Sequence, residues 1–355
     1  MPQATVIDVA RKAGVSRATA ARALGGYGRV SAATIAVVRT AAEEVGYRPN
    51  ELARSMITGR TRTIGVVISD IENQFFTRVL RGASDVVRDH GYDLLLANTD
   101  EDAVAERQMV RVMNGKQVEG LIVCPVDPDE VDHLAETLSA GRPVVLIDRT
   151  VTALQLDSVG VDNRRATHDA VSRLISRGHR RIGIISGVQP RFLARALRQE
   201  SSEPAPGETP SEGRLVGYCQ GLREAGLGVD EALVVDGGFH SDQARQAARD
   251  LLSIPDRPTA LLTTDSLLTI SALQAIRNLG LKCPQEVSLL GFDDADWASL
   301  VEPPITVISQ PAYEIGARAA EFLLARIADG GAASQTVQLP TTLIERGSVA
   351  TIGPA

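Results

Sequence analysis

The chain is expected to fold as a small three-helix module, a short linker, and a larger α/β body built on parallel sheets. Three observations predict this. Serine and threonine caps alternate with glycine stops near the N-terminus, positive charge is concentrated in the first 62 residues, and from residue 63 onward apolar runs alternate with helical stretches. A length of 355 residues suits two or three domains. With 44% hydrophobic and 23% charged residues the composition is globular. No run approaches the roughly 18 consecutive apolar residues of a membrane span.

Ten basic residues in positions 1–62 (Arg11, Lys12, Arg17, Arg22, Arg29, Arg39, Arg48, Arg54, Arg60, Arg62) face four acidic ones, a net of +6; the remainder therefore carries −13 of the total −7. Such asymmetry points to a nucleic-acid module on an acidic body, although a solvated basic surface would also account for the charge alone. The N-terminus is charged where a secretion signal would be apolar, and Cys124, Cys219 and Cys283 are widely spaced with no CxxC pair. Both features fit a cytoplasmic protein whose thiols are reduced and hold no metal.

Thr5 and Asp8 form a capping-box pattern at the start of the first helix, in which Val6, Val9, Ala10 and Ala13 share a face before Gly14 ends it. Ser16 caps a second helix through Leu24. Two short helices around a glycine turn are the helix-turn-helix signature. Ser31 caps a third, with Ile35, Val38, Ala42 and Val45 on one side and Gly46 as its stop. In this motif the N-terminal end of the second helix meets base edges in the major groove. Arg17 is at that end and Arg22 lies close to the same face. Either can donate to guanine, or hold phosphate without specifying sequence. Ala18 offers only apolar contact.

In the body, strands are expected at Ile64–Ile68, Asp93–Ala97, Gly120–Cys124, Val144–Asp148, Ile182–Ser186, Ala260–Thr264 and Val287–Gly291, with helices near 74–90 and 104–113. Continuous apolar strands separated by helices mean parallel sheets covered on both faces. Ligands of such sheets lie beyond the carboxyl ends of the strands. Asp148-Arg149, Ser186-Gly187, Thr264-Asp265 and Phe292-Asp293-Asp294 end strands and are the places to look.

The run Val6-Ile-Asp-Val-Ala-Arg-Lys-Ala-Gly-Val-Ser16, with Thr19, Arg22, Gly46-Tyr-Arg-Pro-Asn50, Ala53-Arg-Ser-Met56, Thr63-Ile-Gly-Val-Val and Asn73-Gln-Phe-Phe76, resembles the lac/gal repressor family. The resemblance covers nearly the whole chain with motifs in family order. One local departure is Ala21, where the family usually has a small polar residue. The resemblance implies a helix-turn-helix domain over 1–49, a hinge helix and linker over 50–62, and an effector-binding and dimerisation domain over 63–355. That domain resembles periplasmic sugar-binding proteins, with two Rossmann-like subdomains: about 63–160 with 293–320, and about 161–292 with 321–355.

It also implies operator contacts from Thr5, Ser16, Arg17, Ala18, Thr19 and Arg22. In the hinge, Asn50, Ala53 and Arg54 would meet the minor groove, and Met56 stands at the position of an apolar wedge between bases. The effector pocket would draw on Asn73, Phe75, Phe76, Asp148, Arg149, Arg214, Phe239, Asp265, Asp293, Trp297 and Gln310. The chemistry agrees: carboxylates accept from neighbouring hydroxyls, arginine donates to ring oxygens, and aromatic faces cover the CH side of a sugar. Phe75 and Trp297 also fit a core reading, and Asp148 an ion pair. Thr264 replaces the family's usual Asn, and residues 199–213 are longer than usual and read as a disordered acidic solvent loop, with a lid as the alternative.

The expected function is a DNA-binding transcription regulator, working as a homodimer on a pseudo-palindromic operator and switched by a sugar or polyol. A purine, nucleoside or sugar phosphate would use similar groups. An enzyme is disfavoured: the sequence has no GxGxxG after a strand, no P-loop, no GxSxG and no Cys/His cluster. A periplasmic binding protein would leave the basic first 62 residues without a role. No cofactor, metal or membrane partner is expected.

Overall fold

The structure, a computed structural model, describes residues 4–47, 60–188, 190–199, 201, 204–205, 207–329, 331 and 333–353. It divides into two compact units, residues 1–63 and 64–355. The hinge positions Asn50, Ala53, Arg54 and Met56 lie outside the described residues.

The first unit contains α1 (Val6–Ala13), α2 (Arg17–Gly25) and α3 (Ala32–Glu44). Each begins as its capping residue dictates. The Asp8 carboxylate accepts from the Thr5 amide at 3.0 Å and hydroxyl at 2.7 Å. Ser16 Oγ accepts from the Thr19 amide at 3.1 Å, and Ser31 Oγ from the Thr34 amide at 3.2 Å. Gly14 ends α1 at φ +66°, a left-handed conformation that favours glycine. Val9, Ala20 and Val38, one from each helix, are completely buried where the three meet.

The second unit holds two six-stranded sheets with the same core order. The first runs β2-β1-β3-β4-β5-β11 and consists of β1 (Thr63–Ile68), β2 (Asp93–Asn98), β3 (Gly120–Val123), β4 (Val144–Ile147), β5 (Asp157–Val161) and β11 (Thr336–Leu339). The second runs β7-β6-β8-β9-β10-β12, from β6 (Ile182–Ser186), β7 (Val234–Asp236), β8 (Ala260–Thr263), β9 (Ser288–Phe292), β10 (Thr306–Ser309) and β12 (Thr342–Ile344). The pairings among β1, β3, β4, β5 and β11 and among β6 to β10 are parallel, and β12 runs antiparallel to β10.

Helices cover both faces, as buried parallel strands require. In the first lobe these are α4 (Gln74–Asp89), α5 (Ala103–Gly115) and α6 (Asp132–Ser139). The second lobe has α7 (Asn163–Ser176), α8 (Pro190–Arg198), α9 (Pro210–Glu224), α10 (Ser241–Ser253) and α11 (Ser266–Asn278). The chain then returns to the first lobe in α12 (Ala312–Ala328), which packs on α4.

The subdomain boundaries differ from expectation. Residues 293–320 are expected in the first lobe and 321–355 in the second, but β10 stays in the second sheet and both α12 and β11 belong to the first. The chain crosses after β5, after β10 and again between β11 and β12. The cause is packing: Ile315, Ala319, Ala320 and Leu323 of α12 share a core with Ile64, Val66 and Ile147 of the first sheet. Gly316 allows the close approach, since a Cβ there would strike the backbone carbonyl of Val79 in α4.

The 199–213 segment also corrects the sequence reading. Its described acidic residues do not face solvent. Glu208 pairs with Arg164, with side chains 9% and 6% exposed. Glu212, completely buried, pairs with Arg195 at 2.5 Å, so Arg195 is held by this pair. Pro210–Gly213 already belong to α9. The acidic character of this stretch supplies counter-charges to arginines on α7 and α8.

Candidate functional site

A cavity of about 490 Å³ lies beyond the carboxyl ends of the strands of both sheets. Asp148 follows β4 and Asp293 follows β9, the same position in each lobe. Both adopt left-handed backbone, φ +63° and φ +69°, which is uncommon for a residue with a Cβ. Each is pinned by its own amide: Asp148 N donates to the Val159 carbonyl at 2.9 Å, Asp293 N to the Ile308 carbonyl at 2.8 Å. Held out of the strand direction, both carboxyl groups line the cavity.

Their partners differ. Gln310 Nε2 donates to Asp293 Oδ1 at 2.7 Å, while Gln310 Oε1 is buried and has no hydrogen-bond partner among the described residues. Asp148 has no hydrogen-bond partner for its carboxylate among the described residues. Asp265 caps α11, its side chain accepting from the Leu268 amide at 2.7 Å. Burial pushes the carboxyl groups of Asp148, Asp265 and Asp293 up, Asp265 to about 6, because the charged form has left water. The Arg214 guanidinium opposes that rise at all three.

Arg214 is oriented closely. Its Nε donates to Asn163 Oδ1 at 2.8 Å, one amino group to the Thr264 carbonyl at 2.5 Å, and its plane lies 3.8 Å from the Phe292 ring centre. The substitution at Thr264 therefore leaves this anchor intact, because the backbone provides it. Arg149 lines the same cavity, but its fork closes on Glu101 at 2.6 and 2.9 Å and reaches the carbonyls of Pro125 and Val126. It buttresses the cleft, and the ion pair considered for Asp148 is made by Arg149 with Glu101 instead.

Asn73 caps α4, accepting from the Phe75 amide at 2.9 Å. Phe75 and Phe76 follow it with ring centres 5.0 Å apart, edge to face. Both touch the cavity while packing into the first lobe's core, so the core and cleft readings of Phe75 hold together. Phe239, 41% exposed, also lines the cavity. Trp297 does not. It borders a second, adjoining cavity of about 560 Å³. Asp294 turns away to pair with Arg346 at 2.7 Å.

Sequence reasoning missed Asp70, Glu72, Asp100, Glu101 and His240, which also line the cleft. Asp70 and Asp100 stand just beyond β1 and β2, so the strand-end rule applied to every strand would have found them. Nothing local marks Glu101 as the partner of Arg149, or Asn163 as that of Arg214, 48 and 51 residues away in sequence.

In the first unit, Arg17 and Ala18 are exposed at the start of α2, and Ser16 and Thr19 share a hydroxyl contact of 2.9 Å beneath them. Arg22 is exposed but folded back, its Nε donating to the Ala18 carbonyl at 3.2 Å. Thr5 is exposed at the start of α1. Among the described residues no group of three or more His, Cys, Asp or Glu could hold a metal ion. Burial raises the thiols of Cys219 and Cys283 to about 11, and that of Cys124 higher still. No described helix is long and apolar enough to cross a membrane.

Comparison with known proteins bears on the family and the fold. Residues 5–50 match the model of bacterial regulatory proteins, lacI family, and residues 171–349 that of a periplasmic binding protein-like domain. The chain is 34% identical over 345 residues to the transcriptional repressor CytR of Escherichia coli K12, covering 97% of this chain and 96% of CytR. It is 32% identical over 336 residues to catabolite control protein A of Priestia megaterium, covering 95% and 96%. Among solved structures, a complex of the transcriptional regulator CelR with cellobiose aligns with TM-score 0.70 and 29% identity over 98% of this chain and all of that one.

Proposed function

Because the chain belongs to the lacI family of bacterial regulatory proteins, we propose that it represses transcription from a pseudo-palindromic operator, as a homodimer whose grip is set by an uncharged polyhydroxyl effector. The family is one of regulators rather than enzymes. Arg17 reads a base edge from the start of α2, with Thr5, Ser16, Thr19 and Arg22 around it on phosphate and Ala18 against an apolar base edge. Two half-sites require two copies of α2, hence the dimer. Asn50, Ala53, Arg54 and Met56 complete the DNA contact on the strength of the family motif. A regulator of this kind works in the cytoplasm, at the nucleoid.

The observation that carries the effector reading is the pair Asp148 and Asp293, facing one cavity from equivalent strand ends. Carboxylates accept from vicinal hydroxyls; Arg214 and Gln310 provide further polar contacts, and Phe76 covers an apolar ring face. A ligand held from both lobes favours the conformation that brings them together, and so shifts the population of operator-competent dimer. A sugar or polyol fits first; a nucleoside presents a similar diol. The test is a gel shift on operator DNA selected from random sequence, with and without a panel of sugars, polyols and nucleosides. We expect one class to change operator affinity at least tenfold, an effect lost in Asp293→Ala. Operator binding indifferent to every compound would overturn the effector assignment.

A further inference from the structure

Two residues of α4 reach across to the other lobe. Gln74 and Arg78 stand four apart at the start of that helix, so their side chains share a face. In the second lobe β9 ends at Phe292 and the chain turns through Asp294 and Asp296. Four hydrogen bonds join the two. Gln74 Nε2 donates to Asp296 Oδ2 at 2.7 Å, and the Asp296 amide donates back to Gln74 Oε1 at 2.9 Å. Arg78 gives one amino group to the Asp294 carbonyl at 2.9 Å and the other to Asp296 Oδ1 at 2.6 Å. An isolated surface ion pair contributes little. Here Gln74 ties the pair into a network, and its members belong to different lobes, so its effect falls on the arrangement of the lobes more than on folding.

The contact lies at the edge of the cleft. Phe75, next to Gln74, and Asp293, next to Asp294, both line the effector cavity. Burial raises the Asp293 carboxyl, and the Arg78 guanidinium is one of the charges that oppose the rise. The space left between Gln74, Arg78, Asp294 and Ala295 is only about 10 Å³, room for one water at most. This place offers contact between lobes and no ligand site.

We propose that Gln74, Arg78 and the 294–296 turn form a latch that holds the two lobes closed and so sets operator affinity before any effector binds. An effector bridges Asp148 and Asp293 from inside the cleft; the latch bridges the same lobes from its edge. Both act on one equilibrium, and the strength of the latch fixes how much of the population is left for the effector to shift. This rests on the reading that closure favours the operator, and the experiment separates the two.

Trp297, the only tryptophan in the chain, follows Asp296 directly and is half-buried, bordering a cavity shared with Asp70, Glu72 and Asn73 of the first lobe. Acrylamide quenching of its emission therefore reads opening at this edge. Arg78→Ala, Asp296→Ala and the double variant are made in the full-length protein. With these side chains 42% and 75% exposed, the variants should fold and melt within a few degrees of wild type. Quenching, and operator binding by gel shift, are measured with no sugar or nucleoside added. Each single variant is expected to raise the quenching constant at least twofold and weaken operator binding at least threefold, with no further change in the double. Arg78→Ala decides the matter, because it lies on the opposite lobe from the tryptophan. Wild-type quenching in Arg78→Ala, or additive effects in the double variant, overturns the latch. Raised quenching with operator affinity unchanged or tighter leaves the latch standing and overturns the reading that the closed form grips the operator.

Discussion

The two lobes of the body repeat one design and then charge it oppositely. In each, the fourth strand in chain order ends in an aspartate with left-handed backbone, Asp148 after β4 and Asp293 after β9, followed by a charged residue whose side chain closes on a partner of opposite charge. In the first lobe that residue is a cation, Arg149, held by Glu101; in the second it is an anion, Asp294, held by Arg346. The backbone feature places a carboxylate over the ligand, and the next residue locks it in place. What repeats is the part that faces the ligand. The buttress is free to take either sign because only its closure matters.

This contrast can be broken at the buttresses first, where the largest effect is expected. Glu101→Ala leaves a buried Arg149, whose Nε already has no partner among the described residues, without its counter-charge. The body should lose about 3–5 kcal/mol in urea denaturation. Asp294→Ala uncovers Arg346, which is somewhat more exposed and still donates to the Ile305 carbonyl at 2.9 Å. About 1–3 kcal/mol is expected there. Equal losses would mean the two locks are equivalent despite their surroundings.

Next come the helix crossings. Gly316 on α12 meets the Val79 carbonyl of α4, and Gly217 on α9 meets the Arg164 carbonyl of α7, so each lobe has one crossing too close for a Cβ. Gly316→Ala and Gly217→Ala should each cost about 1–3 kcal/mol, read as a lowered melting temperature. A wild-type melting curve for either variant would show that the crossing can spread without loss.

The aspartates themselves sharpen the comparison. Asp148→Asn and Asp293→Asn should each weaken effector binding by about 1.5–3 kcal/mol, roughly ten- to a hundredfold by calorimetry. Their effect on the unliganded protein should differ. Asp148 is a desolvated carboxylate with no hydrogen-bond partner among the described residues, so neutralising it should raise the melting temperature. At Asp293 an asparagine keeps an oxygen for Gln310 at the same site, and little change is expected. A drop in stability for Asp148→Asn would mean that its charge is compensated more fully than the geometry shows.

How much of this was legible depended on whether the signal was local. The strands of the two sheets that are long and apolar, such as Ile182–Ser186, announced themselves, and the strand-end rule then pointed to Asp148, Asp265 and Asp293. Asp157–Val161 is short and holds Asp, Ser and Gly; Thr336–Leu339 alternates polar and apolar residues, as an edge strand does. Neither stood out, and without them the return of α12 and β11 to the first lobe could not be placed. Arg149 illustrates the other limit. Its residue type suggested a ligand contact, but its partner, Glu101, is fixed only by the folded sheet. The acidic residues at 199–213 read as a solvent loop for the same reason: their partners Arg164 and Arg195 sit on other elements.

The smallest expected effect is the most specific to one residue. The Asp265 carboxyl, raised to about 6 by burial, stays protonated in the free protein at a pH where an unfolded aspartate is ionised. In the effector-free body its contribution to stability is therefore greatest below the unfolded value near 4 and fades as pH rises through about 6. Effector binding runs the other way. A hydroxyl donating to the ionised carboxylate favours the deprotonated form, so affinity should be full above pH 6 and fall by at most about tenfold between pH 7 and pH 5. Asp148 and Asp293 are raised in the same direction. Asp265→Asn keeps the cap on the Leu268 amide, since asparagine caps helices as well as aspartate. It should flatten part of the pH profile without loosening α11. A profile unchanged by this substitution would make Asp265 a helix cap that borders the ligand without sensing it.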